Sequence, residues 1–460
     1  MVIRRVSEDF VVNERLDPAY ARGLVPTCEP GSTLAVYVLR KSGLTTPEAL
    51  AHLGKALGVR HAAIQYAGLK DKHALTEQHV AVPLVKAGEA RAQSAPVGSV
   101  LPERAEGPAG RWQAKLMGFT AAELTAEAIT GNGFAITIRQ APAEQIDEMR
   151  RRAALLSEAD GSGALVVNYF GDQRFGSARH GQGFAARRLI EGDFDGALRL
   201  LIGTPSRKDS GATREFTRLC AEHWGKWKLL AKRLPGNTER RAIEALAEGA
   251  SPAEAFAALP YFLQQMCVEA YQSLLWNGTA RVLAERIASQ GAAEAPEPKN
   301  RKQRKAARRT LLRSDDTFGE MLFPTQAVLS GAAGDVWRGL EVPLPGPETK
   351  LLEPWGKAMA GVLEAEGLTV ERLTVPGLRR PFFGEAGRRL LVRASGLSIG
   401  EPARDELADA EVSGAKKGKK GGKRPRAGAG AVAAVQHKVE VRFELPRGSY
   451  ATVVLRAMGQ

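Results

Sequence analysis

Asp71 is a lone carboxylate set between Lys70 and Lys72, with His73 next in line. Two cations beside one carboxylate favour its ionised form, and an ionised Asp can act as a nucleophile or a base. Gly68, just ahead, permits a backbone turn that a residue with a Cβ would resist. A mostly apolar run from Ala62 to Ala67 leads in and an apolar run from Val80 to Val85 leads out, so the stretch Tyr66 to His79 reads as a bend presenting Asp71 between two strands. The same residues would equally suit a solvated turn whose charges cancel, because paired carboxylates are common in structural networks. His73 and His79 could titrate near neutrality, but their placement assigns neither a role.

Three strings add to that reading. Residues 68–78, GLKDKHALTEQ, closely resemble the motif around the catalytic Asp of the TruD family of tRNA pseudouridine synthases. Residues 168–176, NYFGDQRFG, and residues 445–452, LPRGSYAT, resemble further signatures of that family, in the family's order and across nearly the whole chain. The resemblance implies an isomerase that breaks the bond from uracil nitrogen to ribose and rejoins the same base through carbon 5. Such a reaction involves no redox change and calls for no cofactor and no metal. It implies tRNA as partner and uridine-13 of the D arm as substrate, and it gives the reacting carboxylate as Asp71. Whether that carboxylate adds to the sugar, adds to the base or removes a proton stays open.

The pocket for an extruded uracil needs an aromatic face and a polar partner for the base edge. By resemblance, Phe10 in EDFVV is the family's N-terminal substrate-contacting Phe. Asn132 and Phe134 in GNGFAI are its Asn-x-Phe pair, one to hydrogen-bond the nucleotide and one to pack beneath it. Tyr450 in GSYAT stands where relatives often have Phe, and adds a hydroxyl that needs a partner. Arg4 falls where the family carries a basic residue, often Lys; a guanidinium keeps its proton, so it can be a charge partner but not a proton shuttle. Lys70 joins the substrate-binding set. Arg174 in NYFGDQRFG would meet either a phosphate or a structural carboxylate. Taken singly, the three aromatics would also suit a core and Asn132 a turn.

The elements that must hold these residues are legible in outline. Phe10 to Val12 begin a strand, and Thr33 to Arg40, rich in β-branched and apolar residues, form another. Thr46 and Pro47 open a helix, Thr as cap and Pro at the first position, with Leu50, Leu53 and Leu57 on one face and Gly58 to end it. Gly131-Asn132-Gly133 reads as a turn that places Asn132 just ahead of a strand in which Phe134, Ile136 and Ile138 alternate with Ala135, Thr137 and Arg139. A helix follows from Ala143 to Leu156. Residues 87–110 read as a loop, and residues 184–290 as mainly helical. The clearest helix there spans Tyr261 to Ile287, with Phe262, Met266, Leu274, Leu275 and Val282 expected in the core. Val439, Val441, Phe443 and Leu445 alternate as a last strand.

This pattern predicts an α+β fold: a pseudouridine-synthase-type catalytic domain with a mixed, largely antiparallel central sheet, interrupted by a mainly helical TRUD-type insertion. The expected boundaries are 1–163 for the first catalytic part and 164–395 for the insertion, with a flexible basic tract at 296–313. A linker over 396–436 follows, basic and disordered at 411–432, and then a returning strand in 437–460.

Composition sets the limits. No apolar run in the 460 residues approaches the 18 or so that a membrane span needs, and the N-terminus lacks the apolar core of a signal peptide. Three widely separated cysteines show no metal-ligand spacing and suit a reducing cytoplasm. Residues 299–313 hold eight Lys or Arg and residues 416–426 hold seven, with no acid in either; against a net charge of +14, the rest of the chain is nearly neutral. Such tracts bind polyanions without sequence choice, or serve only as solubilising segments. Two other classes compete: a non-catalytic RNA-binding or RNA-chaperone protein, which would not need Asp71, and a glycosidase, which would want two opposed carboxylates where the motifs supply one. The sequence does not speak to oligomeric state.

Overall fold

The structure is a computed structural model that describes residues 1–85, 95–96, 102–107, 111–206, 209, 211–294, 310–330, 332–408 and 436–460. The expected disordered stretch 411–432 and most of the basic tract 296–313 lie outside these residues. The chain divides into two units: Met1–Ala164, Arg393–Ala451 and Met458–Gln460 form the first, Leu165–Val392 and Thr452–Ala457 the second.

In the first unit β1 (Phe10–Leu16) is followed by a short helix α1 (Pro18–Arg22), β2 (Leu34–Lys41) and helix α2 (Thr46–Leu57). Next come β3 (Gln65–Tyr66), β4 (Leu75–Val85), β5 (Ala95–Pro96), β6 (Arg104–Glu106), β7 (Trp112–Thr120), β8 (Ile129–Ala141) and helix α3 (Ala143–Leu156). The chain leaves through β9 (Gly163–Val167). The second unit is mainly helical, with β10 (Leu311–Ser314) paired to β11 (Met321–Pro324) and β12 (Glu341–Pro343) paired to β13 (Gly387–Arg389). The chain returns to the first unit's sheet as β14 (Leu391–Ile399), β15 (Ala403–Arg404) and β16 (His437–Pro446).

The sheet of the first unit runs β6-β7-β2-β4-β1-β8-β16-β14. Along this path the pairings are antiparallel except β1 with β4, which run parallel, and off it β5 also pairs with β4 in parallel. The last strand therefore lies beside β8, one place from the first. Register puts Glu14 opposite Asn132 and Val12 opposite Phe134, and sets Phe443 and Leu445 against Phe134 and Asn132 from the other side. Side chains paired across strands share a face. One face of the sheet thus carries Tyr37, Leu39 and Lys41, Thr76 and Gln78, Phe10, Val12 and Glu14, and Asn132, Phe134 and Ile136. Helix α2 covers the β2 end of it, with Leu50 and Leu53 at most 2% exposed. Each such leucine contributes about 1.5–3 kcal/mol on burial.

Several expectations are corrected. The cap of α2 is Thr45, in a capping box with Glu48, while Thr46 is the first helical residue and Gly58 ends the helix in the left-handed conformation at φ 69°. Gly131-Asn132-Gly133 is no turn but the interior of β8: a Cβ on Gly131 would come within 2.2 Å of the Leu445 carbonyl oxygen, so glycine there admits β16. Gly68 has no such duty, since a Cβ would meet open space and its backbone is not left-handed. The loop expected at 87–110 contains the edge strand β6, paired to β7. Residues 311–313 of the basic tract lie in β10, and 396–399 of the expected linker complete β14, which pairs with β16. The run Val453–Leu455 is helical and buried, and belongs to the second unit. Phe262, expected in the core of the helix Tyr261–Glu294, is 72% exposed.

Candidate active site

Asp71 sits in the loop between β3 and β4. Its Oδ1 accepts the backbone N–H of His73 at 2.9 Å, which holds the side chain against its own turn. Its Oδ2 meets Arg4 Nη1 at 3.0 Å, and both side chains are about one-quarter exposed. The partner cation is thus Arg4, while the flanking lysines expected to hold the charge go elsewhere: Lys72 Nζ reaches Glu48, and Lys70 Nζ reaches Glu14 and Asn132. The cation nearest in sequence is not the one that folding supplies.

Arg4 is held in a left-handed backbone conformation, φ 63°, which a non-glycine residue adopts only where its surroundings enforce it. Asp9 supplies the enforcement. Buried, it accepts from the backbone N–H groups of Arg5 and Val6 and from the Arg139 guanidinium, which also meets buried Asp405 at 2.9 Å. That network pins the N-terminal segment and lays the Arg4 guanidinium over the Phe10 ring, 4.1 Å from its centroid. The ring beneath is 3% exposed and meets Phe134 edge-on at 6.3 Å, and Phe134 in turn packs on Phe443.

The Asp71 loop is fastened from below by groups that the sequence reading did not select. Lys41 Nζ donates to the carbonyl oxygens of Leu44, Lys70 and Asp71 at 2.9, 3.2 and 3.0 Å, which uses all three protons of an ammonium. Its burial pushes its pKa down to about 8, opposed in part by the Asp71 carboxylate. Thr46 Oγ1 accepts the Lys70 backbone N–H and donates to Gln78 Oε1, and Gln78 reaches back to the Gly68 carbonyl oxygen. Below Asn132 lies Glu14, its side chain 1% exposed, which accepts from Lys70 Nζ at 2.7 Å and from the His79 backbone at 2.7 Å. Burial works to raise the Glu14 pKa, but hydrogen bonds from His79 and the Lys70 charge outweigh it and hold the carboxyl below its ordinary value. A signal for Glu14 and Lys41 was present: each continues the apolar phase of its strand, after Phe10 and Val12 and after Tyr37 and Leu39. A charge on a buried phase must be paired.

Of the residues singled out from sequence, Arg4, Phe10, Lys70, Asp71, Asn132 and Phe134 are joined by this chain of contacts. Tyr450 follows β16 by four residues and is half-buried. Arg174 lies in the second unit, where its guanidinium meets a carboxylate, Glu269, at 2.8 Å and the Ser273 hydroxyl at 3.2 Å. Among the described residues there is no group of three His, Cys, Asp or Glu placed to hold a metal ion, and no helix long and apolar enough to cross a membrane.

A family model described as tRNA pseudouridine synthase D (TruD) matches residues 1–458. The chain belongs to the TruD family. It is similar to tRNA pseudouridine synthase D of Aquifex aeolicus, 24% identical over 92% of this chain and 91% of that one. It is also similar to a probable tRNA pseudouridine synthase D of Methanopyrus kandleri, 29% identical over 92% of this chain and 84% of that one. A crystal structure of a putative tRNA pseudouridine synthase D from Methanosarcina mazei shares the fold, with a TM-score of 0.60 at 21% identity, over 99% of this chain and 92% of that one. Membership makes this TruD protein a pseudouridine synthase, an isomerase of the α+β class.

Proposed function

We propose that this protein converts a uridine of tRNA, uridine-13 of the D arm, to pseudouridine, with Asp71 as the reacting carboxylate. The curated relatives are named for tRNA, and the position follows from the motif resemblance described above. The observation that carries the role of Asp71 is its pairing with Arg4 over the Phe10 ring, because this joins an acid from one motif to a cation and an aromatic from the chain's start. The Arg4 guanidinium gives the Asp71 carboxylate a partner of opposite charge, and the carboxylate is the form that can attack or take a proton. The Asp71 backbone is fixed through Lys41 and its side chain through His73, so little reorganisation is needed before reaction.

Asn132 supplies the polar partner for the base, and Phe134 and Tyr450 supply apolar surface around it. Lys70 acts beside them as the cation under Asn132. The experiment is pseudouridine mapping by mass spectrometry in tRNA from cells lacking the gene, complemented with wild type or Asp71→Asn. Wild type restores the modification at position 13 and the variant restores none, a loss of more than about 10³-fold in rate by analogy with other groups that act directly in the reaction. Restoration by Asp71→Asn would remove this residue from the chemistry, and an unchanged position 13 in the deletion strain would remove the substrate.

A further inference from the structure

The side chain of Asn132 is not free to choose which end it shows. Lys70 Nζ stands 2.8 Å from Asn132 Oδ1. An ammonium has only protons to give, so the carboxamide must turn its oxygen toward Lys70 and its NH2 group away. Lys70 cannot swing off, because its second hydrogen bond ends on Glu14, a carboxylate with 1% of its side chain exposed, at 2.7 Å. Glu14 is itself held by the His79 backbone and ring, and lies directly opposite Asn132 in the pairing of β1 with β8. Among the described residues, no protein acceptor meets Asn132 Nδ2. A donor is thereby left standing at a half-exposed position of the site.

We propose that the Glu14–Lys70 pair locks the Asn132 carboxamide as a donor toward the base, and that this lock makes the site accept uracil and refuse cytosine. The inference rests on the reading that Asn132 meets the nucleobase. Uracil presents an oxygen at carbon 4, which accepts; cytosine presents an amino group there, which can only donate. Against a locked NH2 group the amino group finds no partner, and two donors face each other in a confined space. A freely rotating carboxamide would serve both pyrimidines, since a half-turn exchanges its oxygen for its nitrogen. Glu14 and Lys70 are therefore positioning residues, acting through Asn132 without touching the substrate.

The test compares tRNA transcripts carrying U or C at the position the wild type modifies. Turnover is measured on the U transcript, and a dissociation constant is measured for each of the two transcripts. Wild type is expected to bind the U transcript at least tenfold better than the C transcript. In Lys70→Met that ratio falls toward one, chiefly through tighter binding of the C transcript. Because Lys70→Met leaves Glu14 buried without its cation, the double variant Glu14→Gln with Lys70→Met is measured alongside, and thermal unfolding confirms that it is folded. A general loosening of the site would weaken both transcripts alike and leave the ratio unchanged, which would overturn the proposal. Asn132→Ala separates the two levels of inference. If it abolishes discrimination while the Lys70 variants retain it, Asn132 reads the base without the lock and this proposal falls alone. If Asn132→Ala changes neither turnover nor the ratio, the reading of Asn132 as the base contact falls with it.

Discussion

Two aspartates in this molecule lie in opposite electrostatic settings. Asp71, in the first unit, is about one-quarter exposed and has a guanidinium at 3.0 Å. Asp316, in the second unit between β10 and β11, has 3% of its side chain exposed and a second carboxyl, Asp172, as a hydrogen-bonded neighbour. Arg456 stands 3.9 Å from each of the pair. Burial first, and the Asp172 charge second, push Asp316 up to about 6. A carboxyl in that setting keeps its proton to higher pH than an ordinary one, and in the protonated form it can donate a hydrogen bond within the fold. The lesson is that a buried acid beside another acid becomes structural, while a partly open acid beside a cation stays available for chemistry.

Substitutions at three residues would break or sharpen this contrast. The largest effect is expected from Lys41→Met, which takes the donor from the carbonyl oxygens of Leu44, Lys70 and Asp71 at once. Turnover should fall by about 10²-fold with little change in KM, because a displaced carboxylate costs rate more than binding; single-turnover pseudouridine formation measures it. The same ammonium loses its proton at about pH 8. Wild-type turnover should therefore decline above about pH 8, as one hydrogen bond and one positive charge leave the loop.

A smaller loss, about tenfold, is expected from Arg4→Leu, which removes the charge partner of Asp71 and uncovers the Phe10 ring. An ion pair this exposed contributes modestly. Arg4→Lys should recover most of the activity in the same assay, since it restores the charge at that position.

The smallest effect on activity, and the clearest on stability, belongs to Asp316→Asn. A carboxyl whose folded pKa is raised from 3.8 to about 6 lends stability that is full below pH 4 and is lost as pH rises through about 6. The wild-type melting temperature should carry that decline between pH 4 and 7, and the Asn variant should lack it while turnover is unchanged. If turnover fell instead, the assignment of Asp316 to a purely structural role would be wrong.

What could be read from the residues alone was part of the strands and helices and several members of the candidate site. Alternation in Phe134, Ile136 and Ile138, the leucines of α2 and the buried face of α3 (Ile146, Met149, Ala153 and Leu156) are local periodicities, which burial on one side imposes directly on sequence. Asp71, Arg4, Phe10 and Asn132 were visible because motif strings keep their order along the chain. Their partners were not. That Asp71 pairs with Arg4 rather than Lys70, that Lys70 belongs to Glu14 and Asn132, and that Lys41 ties down the loop are decisions of strand order and register. These set which side chains from distant parts of the chain come within 3 Å of one another. Charge attraction acts through space, so neighbours in sequence lose to neighbours across a sheet whenever the backbone brings the latter closer.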